Sequence, residues 1–275
     1  MISQISIDRD LIQESILSYL EKSFKSVAAQ HTLCKILDLA KTDTPVVLIG
    51  EMGSGKKRMG QIIHENSSRS HYPMCSFYCL DLTKQEYEEA FREHIYFSDD
   101  HFALKYNVIE KASRGVLYMD QFSELSNELM LKVVASFKKG SEQLFRYSQD
   151  AEPRLILSVN TKSYQKLQQT ETWEQVLEIL HPQSITVPAL RERPEDIPLL
   201  INSFIESIRN SSERFGKLSI SEAAIDACLL YNWPGNIIQL NNAILQGAIL
   251  SDGETIEIHH LPFSINWDLQ DDLRN

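Results

Sequence analysis

The sequence predicts an α/β fold, a parallel sheet covered by helices on both faces and followed by a small all-helical domain. Three observations carry that prediction. Short, continuously apolar runs alternate with helical patterns between residues 33 and 187. The run Pro45-Val-Val-Leu-Ile49 flows directly into a glycine-rich turn that opens a helix. After Pro194 the apolar runs stop, and helical patterns follow one another without interruption. Strands buried on both faces read as unbroken hydrophobic stretches, and helices between them are the crossovers that parallel strands require. Ligands of such sheets bind outside the carboxyl ends of the strands.

Taken in order, residues 1–22 predict a short helix, because Ile12, Ile16, Leu20 and Phe24 recur at every fourth position and share a face. That face either docks on the main body or meets a partner. Residues 33–40 have helical spacing, 45–49 form the first strand, and 57–67 a helix. Residues 74–80 are apolar enough for a second strand, 86–93 and 108–113 read as helices, and 116–119 form a third strand closed by Asp120. A helix over 127–137, a fourth strand over 154–159, a helix over 173–180 and a fifth strand over 184–187 complete the sheet. Helices over 197–208, 221–231 and 236–250 then follow with no strand between them. The expected domains are a helical segment 1–22, an α/β domain 23–195, a helical domain 196–264 and an acidic tail 265–275.

Composition narrows the function. The chain has 275 residues, 43% hydrophobic and 24% charged, enough for a sizeable core. Its net charge of -11 argues against direct DNA binding over most of the surface, since proteins that grip phosphate backbone present a basic face. Cys34, Cys75, Cys79 and Cys228 lack the paired spacing of a metal site. The neighbouring Cys75 and Cys79 lie in an apolar run and read as buried free thiols. No run approaches the roughly 18 apolar residues of a membrane span, and no secretory signal opens the chain, so the expected compartment is the cytoplasm with no membrane partner.

Gly50-Glu51-Met52-Gly53-Ser54-Gly55-Lys56-Lys57 follows a predicted strand and opens a predicted helix, the context that a G-x-x-x-x-G-K phosphate loop requires. Its glycines let backbone N–H groups turn inward around phosphate oxygens, and the helix dipole adds positive potential there. Lys56 would reach the terminal phosphates of a nucleoside triphosphate. The Ser/Thr that touches Mg²⁺ in this motif is replaced by Lys57. Asp120, delivered by an apolar strand, fits the acid that serves the metal through the nucleotide.

With these motifs in place, the chain resembles the central AAA+ ATPase domain of the sigma-54-dependent bacterial enhancer-binding proteins. The residues that carry the resemblance are the phosphate loop, Ile63-His64-Glu65-Asn66-Ser67 with Arg69-Ser70, Gly115-Val-Leu-Tyr-Met-Asp120, Pro188-Ala-Leu-Arg-Glu-Arg-Pro-Glu-Asp-Ile197 and Trp233-Pro-Gly-Asn236. They cover about residues 24–263. The resemblance implies a P-loop AAA+ sheet domain, a helical lid, and self-association into a ring with ATP sites at subunit interfaces.

The departures from the family are equally specific. The family places a water-polarising Glu after the strand acid, where this chain has Gln121. The family's Asn before the second-strand Cys, which pairs with that Glu, is Tyr78. Glu124 lies close by but on a different turn. The two arginine-finger positions, counted back from Arg193, hold Trp173 and Ile179, and the lid arginine position holds Ile238. Asn160 still matches the family's polar sensor. Arg191 and Arg193 are the nearest arginines that could compensate. The family's Gly-Ala-Phe-Thr-Gly-Ala loop, which touches sigma-54, should fall within residues 93–105, a stretch with no glycine and no Phe-Thr pair. Tyr96, Phe97 and Phe102 there either pack locally or form a different contact surface. A full sensory domain before residue 23 and a helix-turn-helix domain after residue 263 are also missing from this sequence.

The expectation is therefore a degenerate member that keeps ATP without turning it over. Such a protein would regulate transcription by assembling with itself or a related AAA+ protein. A nucleotide-free scaffold on the same fold is the alternative, and an active ATPase that drives sigma-54 polymerase is a second.

Overall fold

The computed structural model describes residues 24–80, 83, 85–86, 94–98, 101–105, 108–143 and 152–265. The expected helix over 1–22, residues 87–93 of the expected helix 86–93 and residues 266–275 of the expected tail 265–275 lie outside the described residues, as do the side chains of Tyr96, Phe97 and Phe102.

A five-stranded, all-parallel sheet forms the first unit. Its strands are β1 (Val46–Ile49), β2 (Met74–Tyr78), β5 (Val116–Asp120), β6 (Arg154–Val159) and β7 (Gln183–Thr186), in the order β2-β5-β6-β1-β7. Register follows hydropathy. The three central strands are buried along almost their whole length, whereas β2 and β7 expose several residues, as sheet edges do. Helices α2 (Lys56–Glu65), α4 (Asn127–Gln143) and α6 (Glu171–Leu180) alternate with the strands. On one side Val47, Leu117, Leu157 and Val159 share a core with Phe122, Met130, Val133, Trp173 and Val176. Elsewhere α2 crosses the sheet at Tyr118, where a Cβ on Gly60 would stand 2.9 Å from the ring, so only glycine permits that approach.

Several elements differ from the sequence reading. Helix α1 (Val27–Ala40) starts six residues before residue 33, because Ser26 accepts the Ala29 N–H and caps it. Residues 94–105 form an antiparallel pair, β3 (His94–Ser98) and β4 (His101–Lys105), with Phe97 opposite Phe102. The expected helix over 108–113 is present but shorter, as α3 (Val108–Lys111), and an additional short helix, α5 (Thr161–Leu167), follows β6. Cys75 is half-buried rather than buried, since β2 is an edge strand.

The second unit is helical: α7 (Ile197–Ser211), α8 (Glu222–Leu230) and α9 (Asn236–Leu250) pack around Ile201, Ile205, Trp233, Leu240 and Ile244. Trp233 donates its indole N–H to the Cys228 carbonyl at 2.7 Å and meets Tyr231 edge-on. The expected absence of strands needs one correction, because Ser219–Ile220 (β8) and Thr255–Ile256 (β9) form a two-residue parallel pair. Ile256 is fully buried there, so the pair fastens the end of the helical core. Among the described residues, the helical unit comprises 24–33, 52–54 and 188–265, and the sheet unit comprises those within 34–51 and 55–187. The division at 187/188 precedes the sequence boundary at 195/196, because Leu190 already belongs to the helical core. Among the described residues, no helix is long and apolar enough to cross a membrane.

The four thiols are free, and their surroundings differ. Burial, aided by Asp120, pushes Cys79 up to about 12, and burial alone pushes Cys228 up to about 12. Thiols react as thiolates, so an alkylating reagent under native conditions should label exposed Cys34 and leave Cys79 and Cys228 intact. Peptide mass spectrometry reads this directly, and equal labelling of Cys79 would contradict the packing of β2 against β5.

Candidate functional site

The phosphate loop begins where β1 ends. Gly50 donates its N–H to the Val159 carbonyl at 3.1 Å, continuing the sheet for one residue. Gly53 and Gly55 then take positive φ, 74° and 99°, a region that costs other L-residues about 1–2 kcal/mol. Gly55 is the N-cap of α2 and supplies no side-chain cap, so the helix starts without a side chain covering its free N–H groups.

Three consecutive loop carbonyls are held from outside. Met52 O accepts from Asn236 Nδ2 at 3.0 Å, Gly53 O from the Ile237 N–H at 3.1 Å, and Ser54 O from Arg193 Nη2 at 2.6 Å. A planar trans peptide points its N–H opposite to its C=O, and no cis bond occurs among the described residues. Fixing those oxygens therefore turns the N–H groups of Gly53, Ser54 and Gly55 the other way, side by side, as an anion cradle does. Asn236, itself at φ 54°, is set by the Leu190 N–H on its Oδ1 at 2.7 Å. A Cβ on Gly53 would lie 2.4 Å from Gly235 O, so glycine is required at the point of closest approach. The Ser54 hydroxyl is buried and has no partner among the described residues. The oriented amides, the glycine-only approach and this orphaned hydroxyl fit a triphosphate.

Lys56 points back over the loop and donates from Nζ to Gly50 O (2.9 Å) and Glu51 O (2.8 Å). Burial lowers its pKa, and the negative charges of Asp120 and Glu51 partly restore it. The sequence-predicted pair of Lys56 and Asp120 is thus brought into one electrostatic field. Asp120 ends β5 half-buried, while its main-chain oxygen accepts the Cys79 N–H at 2.9 Å. Lys57, exposed on the first turn of α2, presents no hydroxyl to a metal. Asp120 would hold Mg²⁺ through the nucleotide, and the ion would neutralise phosphate charge there.

Gln121 follows in a left-handed conformation, φ 55° and ψ 43°, before the 3-10 turn Phe122–Glu124. Its Nε2 donates to the Tyr78 hydroxyl at 3.0 Å. The two positions that the resemblance pairs are thus bonded to each other here as well, amide to phenol. Glu124 lies on that 3-10 turn, and its Oε1 accepts from Ser123 Oγ (3.1 Å) and Ser163 Oγ (2.9 Å). Asn160 spends its carbonyl on the Lys162 N–H at 2.9 Å, capping α5, which leaves its amide N–H₂ as the sensor-like group.

The finger positions do not carry substitutes. Trp173 is 1% exposed in the sheet core, edge-on to Tyr164, and Ile179 packs against that core. Ile238 is exposed on α9. Arg193 is fully buried on Ser54 and Asp196 and so is closed to a neighbouring subunit, whereas Arg191 is exposed. Arg69 is structural: it donates to Asp43 Oδ1 (2.7 Å), Arg114 O (3.0 Å) and Glu152 O (2.6 Å). Arg193, Asn236 and the Tyr78–Gln121 bond are the functional features that residue spacing did not reveal, although the first two stand in motifs that the sequence singled out.

This loop, sheet order and helical unit define the protein as one with the AAA+ fold. Residues 23–185 match the Sigma-54 interaction domain, and the chain belongs to that family. Residues 191–273 match the AAA+ ATPase lid domain. Among known proteins it is similar to the transcriptional regulatory protein ZraR of Escherichia coli K12, 28% identical over 245 residues that cover 88% of this chain and 55% of ZraR. It is also similar to XylR of Pseudomonas putida, 29% identical over 85% of this chain and 42% of XylR. The chain thus spans about half the length of the curated relatives it matches. The crystal structure of NtrX from Brucella abortus in complex with ATP superposes with a TM-score of 0.73 at 23% identity, over 96% of this chain and 62% of NtrX, a likeness of fold.

Proposed function

We propose that this chain binds ATP on residues 50–57 and hydrolyses it poorly or not at all. It would act as a regulatory subunit in bacterial transcription control by assembling with itself or with a related AAA+ protein. One observation carries the reading: beside a phosphate loop that keeps its glycines and Lys56, the group after Asp120 is a neutral amide that donates to Tyr78. A general base must accept a proton from the attacking water, and an amide N–H cannot. The buried Trp173 removes the second requirement, an arginine offered to a neighbour's phosphates. The changed 93–105 segment supports a partner other than sigma-54.

The test is steady ATP turnover by the wild-type chain and by Lys56→Ala, together with analysis of the nucleotide that stays bound. Wild type should retain ATP and turn over no faster than Lys56→Ala, which should lose the nucleotide. Gln121→Glu should then raise turnover on the order of tenfold, below the roughly hundredfold that a positioned base contributes at least, since no finger is restored. Wild-type turnover well above the Lys56→Ala control would reject the proposal. Mass measurement with and without ATP reports self-assembly.

A second reading, a scaffold without nucleotide, is favoured by the Lys56 ammonium bonded to its own loop carbonyls. Thermal unfolding separates the two, because a ligand bound only by the folded state adds RT ln(1 + [L]/Kd) of stability. No shift at millimolar Mg-ATP would select the scaffold.

A further inference from the structure

We propose that Arg193 and Asp196 form a relay joining the chain at residues 24–26 to the phosphate loop, so that docking of this strap and nucleotide affinity are coupled. Arg193 is the positioning residue. The proposal rests on the ATP-binding reading above and adds its regulation.

The relay consists of two side chains, each 1% exposed. At one end Asp196 Oδ1 accepts the N–H groups of Lys25 (2.6 Å) and Ser26 (2.9 Å), and its Oδ2 accepts from Ser26 Oγ (3.1 Å). At the other end Arg193 Nη2 donates to Ser54 O at 2.6 Å. Between them, Arg193 Nη1 stands 4.0 Å from Asp196 Oδ2. That ion pair is long, and Arg193 Nε has no partner among the described residues.

Buried charges are tolerated when opposite charge and hydrogen bonds take them up, and here the supply is divided. Asp196 is satisfied mainly by the strap, and Arg193 mainly by the loop. If the strap leaves, Asp196 loses three donors. The nearest replacement is the Arg193 guanidinium, which can offer Nε and Nη together to a carboxylate. Turning that way draws Nη2 from Ser54 O. The Ser54 carbonyl and the Gly55 N–H belong to one rigid peptide, so releasing the oxygen releases the amide that would face a phosphate. The unsatisfied Nε and the 4.0 Å gap supply the second arrangement that such a switch needs. Any partner or upstream segment that pulls on residues 24–26 therefore acts on the cradle.

Coupling of this kind is reciprocal, so bound nucleotide must also tighten the strap. The experiment is amide hydrogen exchange on the full wild-type chain with and without saturating Mg-ATP, alongside the affinity of a fluorescent ATP analogue for wild type, Ser26→Ala and Arg193→Lys. ATP should slow exchange at Lys25 and Ser26 more than in α7, and the excess should vanish in Arg193→Lys. Ser26→Ala should bind the analogue on the order of fivefold more weakly, although Ser26 is remote in sequence from the loop. A wild-type chain that binds ATP with no excess protection at Lys25 and Ser26 overturns the relay and leaves the nucleotide reading standing, whatever the variants do. A wild-type chain that binds no ATP overturns both.

Discussion

Trp173→Arg is expected to unfold the sheet unit instead of supplying an arginine finger. Trp173 is 1% exposed, it packs in the core with Val133 and Val176, and it meets Tyr164 edge-on at 5.8 Å between centroids. Truncating a buried tryptophan costs about 3–5 kcal/mol, and a guanidinium left there without a carboxylate adds a desolvation penalty. Against a total stability of roughly 5–15 kcal/mol, a loss on the order of 5 kcal/mol or more removes most of the folded population. Thermal or denaturant unfolding of the variant measures it. Ile179→Arg serves as the contrast, because Ile179 is only half-buried at the end of α6 and a long side chain can carry its charge outward there. A Trp173→Arg protein with a wild-type unfolding midpoint and new ATP turnover would show that α6 presents a different face from the one described.

The same helix illustrates what the sequence could convey. The fold was readable because parallel strands buried on both faces leave a signal in consecutive residues: Val46–Ile49 and Arg154–Val159 are buried throughout. The phosphate loop was readable because its glycines answer to local backbone geometry. Features that depend on a distant partner left no such signal. The early start of α1 rests on Ser26, which is fixed by Asp196 some 170 positions away. Tyr78 and Gln121, 43 positions apart, stand where the family has a paired Asn and Glu, but that the replacements still bond to each other is visible only in the structure. Arg193 stood out as a candidate compensating arginine, yet its destination is a carbonyl 139 positions earlier. The antiparallel pair β3–β4 leaves little trace for another reason: alternation in so short a segment is a weak cue.

Gly53→Ala is expected to abolish tight ATP binding and to lower the stability of the helical unit. The methyl group meets two obstacles. At φ 74° an L-residue is disfavoured by about 1–2 kcal/mol. The new Cβ would also stand 2.4 Å from the Gly235 oxygen, which is main chain and cannot rotate aside. Relief requires moving Gly235, and that breaks the Ile237 N–H bond to Gly53 O and the Asn236 bond to Met52 O, each worth about 1 kcal/mol. The combined cost is on the order of 3 kcal/mol, and if it falls on the nucleotide-competent loop the affinity drops roughly a hundredfold. Gly216→Ala is the control: its Cβ would meet only Glu213 O at 3.3 Å, and its φ is not positive, so binding should stay near wild type. Analogue titration and thermal unfolding of both variants measure the difference. If Gly53→Ala bound ATP as wild type does, the carbonyls of residues 52–54 would not be what orients the cradle, and the roles given to Asn236 and Arg193 would fall with it.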